Sequence, residues 1–282
     1  MSRKTVTDIK DMKQKGQPIV MVTAYDYPLS RLAQEGGADI LLVGDSLGNV
    51  VLGYEATTSV DMDDMVRACA AVCRAPGEAH IVCDMPFLSF QISPEEALRN
   101  AGRLIRKGGA QSVKMEGGKH LVPTVKKLVE NGIPVMGHIG LTPQSVHQLG
   151  GYRVQGRSLA EAEELVEDAL ALQEAGIYSL VLEAVPWQLA QAITERLEIP
   201  TIGIGAGPRC DGQVLVIHDL IGLSFGKPAK FVKRYANVGE DIRQAVAAFG
   251  ADIREGRYPE PAHQYNLSAE TWAALQKALE EK

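Results

Sequence analysis

Four short apolar runs in this chain each close on a carboxylate: Leu-Leu-Val-Gly-Asp45, His-Ile-Val-Cys-Asp84, Ser-Val-Lys-Met-Glu116 and Ser-Leu-Val-Leu-Glu183. An acid directly after a buried run is costly to place unless it binds a cation or handles a proton. A single Asp after a strand more often caps a helix or sits in a surface loop. Four acids in the same local setting reverse that balance, because capping does not require every acid to follow a strand. Several oxygen ligands with no matching His or Cys cluster suit a hard cation, and a site that keeps waters and uses substrate oxygens favours Mg2+ over zinc. The six histidines hold no H-x-H or H-E-x-x-H spacing, which counts against zinc hydrolysis. Three carboxylates near one cation would leave a fourth free as a general base. Lys114, two residues before Glu116, could then hold a substrate carboxylate or a developing enolate oxygen.

The elements that must hold these side chains show in the apolar pattern, which alternates between short β-rich runs and longer helical stretches. Strands are expected at 18–23, 40–43, 80–84, 112–116, 134–139, 178–183, 200–203 and 214–218, and helices at 28–35, 62–74, 94–106, 121–130, 159–174, 188–196 and 239–250. Eight strands alternating with helices imply βαβ crossovers, and a closed single (β/α)8 TIM barrel fits them better than a doubly wound sheet. The expected division is a catalytic barrel over 1–264 and a helical tail over 265–282. The barrel part includes an N-terminal helix at 5–15, capped by Thr5, that could close the barrel bottom. The tail carries Trp272, Leu275 and Leu279 on one helical face. In a parallel barrel the C-terminal strand ends carry function, and all four acids lie there. Period-two alternation sends Lys114 with Glu116, Val82 with Asp84 and Val181 with Glu183 toward the axis, and Val113 and Met115 toward the helices.

Composition narrows the partners. The 282 residues carry a net charge of -6 with 29 basic residues scattered along the chain, so no nucleic-acid-binding patch is expected. Cys69, Cys73, Cys83 and Cys210 include no C-x-x-C pair and read as free thiols of a reducing compartment, Cys69 and Cys73 packing within one helical pattern. The sequence opens without an apolar h-region and no stretch approaches a membrane span, so a soluble, cytoplasmic protein acting on small-molecule substrates, with no membrane partner, is expected. Gly203-Ile-Gly-Ala-Gly207 departs from G-x-G-x-x-G and reads either as close packing or as an anion cradle. Gly150 to Arg157 reads either as a lid or as an ordered loop.

Longer strings carry a resemblance. Thr23-Ala-Tyr-Asp26, Val43-Gly-Asp-Ser-Leu-Gly48, Asp84-Met-Pro-Phe87, Val113-Lys-Met-Glu-Gly-Gly118, Gly137-His-Ile-Gly-Leu-Thr-Pro-Gln-Ser145, Gly150-Gly-Tyr-Arg-Val-Gln-Gly-Arg157, Leu182-Glu183 and Gly203-Ile-Gly-Ala-Gly207 follow one another across nearly all of residues 3 to 264. In that order they resemble the ketopantoate hydroxymethyltransferase family. The resemblance implies a (β/α)8 barrel of the phosphoenolpyruvate/pyruvate type that binds Mg2+. It implies transfer of a hydroxymethyl group from the co-substrate 5,10-methylenetetrahydrofolate to 3-methyl-2-oxobutanoate through an Mg-stabilised enolate, giving 2-dehydropantoate in pantothenate biosynthesis. Carried over by position, Asp45, Asp84 and Glu116 would form the metal site. Asp45, Ser46, Asp84 and Lys114 would bind the oxo acid, Glu183 would take the proton, and His138 would line the site. A homo-oligomer, usually a decamer, is implied as well. If Gly150 to Arg157 is a lid and not an ordered loop, its arginines could meet the glutamate tail of folate. Two other readings stay open: an Mg-dependent carbon-carbon lyase of the same barrel type, and a non-catalytic metabolite-binding barrel.

Overall fold

A computed structural model of the chain describes residues 2–151 and 153–281. Its strands are β1 (Ile19–Thr23), β2 (Ile40–Val43), β3 (His80–Asp84), β4 (Ser112–Glu116), β5 (Val135–Gly140), β6 (Ser179–Glu183), β7 (Thr201–Ile204) and β8 (Gly212–Leu215). They pair in parallel in chain order, and β8 returns to β1, so the sheet closes into the expected barrel. The last strand is a correction: it lies earlier than 214–218. Pairing of β8 with β1 stops at Leu215, and Thr23 Oγ1 takes the Ile217 amide at 2.9 Å, which starts a short helix over Ile217–Leu220. His218 therefore sits in a helical turn and not in a strand.

Helices fill the crossovers because side chains mark their starts. Asp61 accepts from the amides of Asp63 and Asp64 ahead of Met62–Arg74, Ser93 accepts from Glu96 ahead of Pro94–Arg103, and Ser158 and Glu161 form a reciprocal capping box ahead of Leu159–Glu174. Alternation along the strands then sorts the apolar side chains into two cores. Ile40, Leu42, Val82, Met136, Val181 and Val214 pack inside the barrel, while Leu41, Val43, Val113, Met115, Leu180 and Leu182 pack in the outer core with the helices. The N-terminal helix Val6–Gln14 opens on a Thr5–Asp8 capping box and puts fully buried Ile9 into the inner core, burial worth about 1.5–3 kcal/mol. It closes the barrel on the side of the strand starts.

Close side-chain packing accounts for the glycines of 203–207. A Cβ at Gly205 would lie 2.7 Å from the Phe231 ring and one at Gly207 would lie 2.3 Å from Trp187 Cβ. The four thiols are free, with Cys69 Sγ and Cys73 Sγ 4.0 Å apart. No described helix is long and apolar enough to cross a membrane.

The chain divides into two compact units between Tyr235 and Ala236. The second holds helices Val238–Arg254 and Ala269–Glu280, neither of which buries a residue. On the first of these Ile242, Val246, Phe249 and Ile253 are exposed at helical spacing, and on the second Trp272, Leu275 and Leu279 are. The sequence-based division lies at 264/265; the compact units part at 235/236, so that Val238–Arg254 falls in one unit with Ala269–Glu280.

At the N-terminal ends of the strands a neutral polar chain stiffens the barrel. His80 Nε2 meets Ser112 Oγ at 2.8 Å, Ser112 Oγ meets the Tyr178 hydroxyl at 3.0 Å, and His80 Nδ1 meets Lys4 O at 3.1 Å. Burial pushes the His80 pKa from 6.5 down to about 4, against the opposing bond to Lys4. The unfolded chain therefore takes up this proton first as pH falls. The stability contributed by neutral His80 is complete above about pH 6.5 and is lost between about pH 6.5 and 4, roughly 3 kcal/mol in all. Urea unfolding of the wild type and of His80→Gln should show a stability gap that narrows by about that amount across this window. A gap that stays constant with pH would remove His80 as a source of acid sensitivity.

Candidate active site

The C-terminal ends of β2 to β6 bring the expected residues to one place. Asp84, Glu116 and Glu183 are the last residues of their strands, and Asp45 follows β2 by two. Strand register does part of the assembly: Asp84 pairs with Lys114 across β3 and β4, and Glu116 pairs with His138 across β4 and β5. Each of these two acids thus gains a basic neighbour from the next strand.

Lys114 Nζ stands 2.9 Å from Asp84 Oδ1, 3.1 Å from His138 Nδ1 and 4.0 Å from Glu116 Oε1. His138 Nδ1 is 3.4 Å from Glu116 Oε1, and His138 Nε2 is 3.2 Å from Glu183 Oε2. His138, expected only as a lining residue, bridges the Lys114–Glu116 pair to Glu183. The Asp45 amide donates to Asp84 Oδ2 at 3.1 Å, and Ser46 Oγ meets the buried Tyr25 hydroxyl at 2.8 Å. Glu183 differs from the others in exposure: its side chain is 16% exposed, against 3–4% for Asp84, Lys114, Glu116 and His138. Its backbone is fixed by Gly140, which has φ 93° and whose absent Cβ would lie 2.3 Å from Glu183 O.

The charges of the cluster do not balance. Burial first, then the neighbouring Asp84 and Glu116, push Asp45 well above the usual carboxylate range. Burial raises Asp84 too, with Lys114 opposing and Glu116 adding. Burial also works on Glu116, yet its hydrogen bond and charge contact with His138, together with Lys114, carry it below the ordinary value. Burial presses Lys114 toward neutrality, and Asp84, Glu116 and Asp45 overcome it, so the ammonium stays charged. Burial and Lys114 likewise press on His138, and Glu116 and Glu183 outweigh them to lift it.

Among the described residues no three His, Cys, Asp or Glu side chains stand already gathered for a metal, because Lys114 sits among the acids. Mg2+ keeps several waters and needs only one or two direct carboxylates. Two observations fit it: the buried Asp45 and Asp84 carboxyls, which burial pushes toward protonation and a cation would hold ionised, and the buried Asp84 Oδ1, which has an ion pair with Lys114 but no directed hydrogen bond. Asp45, Asp84 and Glu116 are the residues that could hold it.

The cluster borders a cavity of about 280 Å³ whose lining is otherwise largely apolar, with Leu42, Val181, Ile204, Val214 and Phe231. That is at the small end of the range for ligand pockets, ~300–1,000 Å³, and suits a metabolite of a few carbons. A larger groove of about 800 Å³ lies along β1, β7 and β8, but its acid, Asp211, is taken up by Lys13 at 2.9 Å and by Thr201. The chemistry belongs to the smaller cavity. In the loop at 150–157, Tyr152 lies outside the described residues; Arg153 and Arg157 are exposed and do not line the cavity. Two site residues lie within the strings that carry the resemblance, yet nothing local in the sequence marks their roles. Tyr25 touches Ser46, and buried Gln144 donates from its side chain to Asp45 and from its backbone to Glu116.

A family model described as ketopantoate hydroxymethyltransferase matches residues 3–261. The chain is 56% identical over 264 residues to 3-methyl-2-oxobutanoate hydroxymethyltransferase of Moorella thermoacetica, covering 94% of this chain and 98% of that one. It is 48% identical over 281 residues to the protein of the same name from Koribacter versatilis, covering 100% of this chain and 95% of the relative. Among solved structures it superposes on phosphonopyruvate hydrolase with a TM-score of 0.60 at 12% identity, covering 100% of this chain and 97% of that one. 2,3-Dimethylmalate lyase, a member of the PEP mutase/isocitrate lyase superfamily, gives a TM-score of 0.56 at 15% identity, with 98% and 96% covered. At these identities the two structures attest the barrel fold alone.

Lys114 is the one lysine within the buried acids, so removing its charge strands them. Lys114→Met should lower unfolding free energy by about 3–5 kcal/mol, measured by urea denaturation in EDTA. A loss below about 1 kcal/mol, the level of a surface ion pair, would contradict the burial of this charge cluster.

Proposed function

The chain belongs to the ketopantoate hydroxymethyltransferase family, and on that premise we propose that it transfers a hydroxymethyl group from 5,10-methylenetetrahydrofolate to 3-methyl-2-oxobutanoate, giving 2-dehydropantoate for pantothenate synthesis. One observation supports this most: a single cavity combines a buried acid–lysine cluster with a partly apolar lining and a partly exposed carboxylate, Glu183, that His138 ties to the cluster. A short 2-oxo acid with a branched alkyl group needs both halves.

In this reading the oxo-acid carboxylate lies against Lys114 and Ser46, while Leu42, Val181, Ile204 and Val214 enclose the isopropyl group. Mg2+, held by Asp45, Asp84 and Glu116, would polarise the ketone as a Lewis acid and stabilise the enolate, a contribution of several kcal/mol. Glu183 takes the proton from the carbon next to the ketone. His138 Nε2, 3.2 Å from Glu183 Oε2, orients that carboxylate. A positioned base contributes roughly 10²- to 10⁴-fold, about 3–5 kcal/mol. The carbanion carbon then forms a bond to the methylene carbon as the first of its two carbon–nitrogen bonds to the folate opens, the freed nitrogen taking up the proton removed from the substrate. Water replaces the second nitrogen, its hydroxyl going to that carbon and its proton to the departing nitrogen, and tetrahydrofolate leaves.

We place the protein in the cytoplasm, a reading supported by four free thiols, and as a homo-oligomer, a decamer on the family pattern. The exposed apolar stripe Ile242, Val246, Phe249 and Ile253 supports association. Sedimentation velocity should return a large assembly; a monomer at micromolar concentration would remove it.

The mechanism is tested by deuterium exchange at the carbon beside the ketone of 3-methyl-2-oxobutanoate, with and without Mg2+, followed by product formation on adding methylenetetrahydrofolate. Exchange should require Mg2+ and precede product. Glu183→Gln should keep oxo-acid and Mg2+ binding and lose exchange by about 10²- to 10⁴-fold. Normal exchange in that variant excludes Glu183 as the base, and absence of exchange in the wild type under every condition excludes the enolate route.

A further inference from the structure

Gln144 lies in the loop after β5, and its amide is buried yet fully used. Nε2 donates to Asp45 Oδ2 at 2.9 Å and to Met85 O at 2.9 Å, and Oε1 accepts from Gln91 Nε2 at 3.2 Å. The backbone N–H of the same residue donates to Glu116 Oε2 at 3.0 Å. From the end of one strand it therefore holds groups at the ends of three others: a carboxylate after β2, a carbonyl after β3 and a carboxylate closing β4.

The orientation of the amide is dictated by its partners. Turned over, Oε1 would face two acceptors, Asp45 Oδ2 and Met85 O, and the amino group would face the Gln91 donor. Only the observed arrangement satisfies all of them, and exposed Gln91 contributes to the choice.

We propose that Gln144 is a positioning residue for the cation-binding carboxylates Asp45 and Glu116, and that Gln91 supports the orientation that Asp45 and Met85 impose on its amide. This rests on the reading above of those carboxylates as cation ligands. The residue type follows from the charge pattern. Lys114 already supplies a buried ammonium beside Asp84 and Glu116, and a second cationic side chain would compete with Mg2+ for the same oxygens. An acid would add repulsion to carboxyls that burial and their neighbours already push toward protonation. A neutral amide fixes the rotation of the Asp45 carboxylate through Oδ2 and adds no charge. Groups that hold ligating carboxylates in this way act on cation affinity through ligand orientation, without touching the cation.

The test titrates Mn2+, as a paramagnetic stand-in for Mg2+, into the full chain and into Gln144→Leu and Gln91→Leu, with neither oxo acid nor folate present. Free Mn2+ is read by electron paramagnetic resonance, and each unfolding midpoint is measured in EDTA. Gln144→Leu should bind Mn2+ about 10- to 100-fold more weakly, and Gln91→Leu should show a smaller loss in the same direction. Wild-type affinity in Gln144→Leu, with or without a lowered unfolding midpoint, overturns the proposal and marks the residue as merely structural. If Gln144→Leu fails to fold, Gln91→Leu decides alone, since its exposed site tolerates substitution and an unchanged affinity there overturns the relay. A wild-type chain that binds no Mn2+ overturns the cation reading and this proposal together. An unchanged Gln144→Leu beside a binding wild type overturns this proposal only.

Discussion

The structure turns on one ammonium group. Lys114 Nζ sits among carboxylates that burial alone would drive toward protonation, and it reaches Asp84 at 2.9 Å and Glu116 at 4.0 Å. Taking a lysine and three acids out of water costs several kcal/mol per ion, and the mutual attraction of the group offsets that only when the geometry is held closely. The barrel holds it by backbone pairing. Asp84 and Lys114 are register partners on adjacent strands, and so are Glu116 and His138, so the main-chain ladder sets the spacing of the charges before any side chain moves. One ammonium does not relieve all three acids: Asp45 and Asp84 stay pushed toward protonation, a load that a further cation would ease.

The two ends of the barrel show how the fold confines that electrostatic load. At the strand starts His80, Ser112 and Tyr178 form one neutral hydrogen-bonded chain, and the charged side chains Lys13 and Asp211, and Lys4 and Asp39, pair one to one. At the strand ends three buried acids share one lysine. Between the two lies an apolar plug that includes Met21, Ile40, Val82, Met136 and Ile202. The neutral end meets a closing helix through Ile9 and Lys4, whereas the charged end opens on a cavity. This matches the general division of labour in such barrels, with stability at one face and chemistry at the other.

Most of this was legible in the sequence where a regular period governs it. Period two placed Val82 and Val181 inward and Val113 and Met115 outward, and the eight-fold alternation called for the closed barrel. Legibility failed where a contact across the fold decides. The β8 limits moved because Thr23, some two hundred residues away, captures the Ile217 amide and ends the ladder. The bridging place of His138 depends on its register against Glu116 and on a contact to Glu183, neither of which has a local signature. Gln144 is less visible still: an amide in a loop has no period, and only the convergence of four strand ends gives it partners.

Exposure separates the acids by the work each can do. A buried carboxylate fixed by Lys114, His138 or Gln144 has too little freedom to follow a proton, and its basicity is already committed to its partners. Glu183 has one neighbour of that kind, His138, and retains a side chain partly open to the cavity. His138 Nδ1 in turn lies near Lys114 and Glu116, so the charge state of the inner cluster reaches Glu183 through a single ring. A cation drawn to Asp45, Asp84 and Glu116 would alter the field on that ring and, through it, on the proposed base. The carboxylates proposed to hold the cation and the proposed base would therefore belong to one electrostatic unit, with His138 as the element they share.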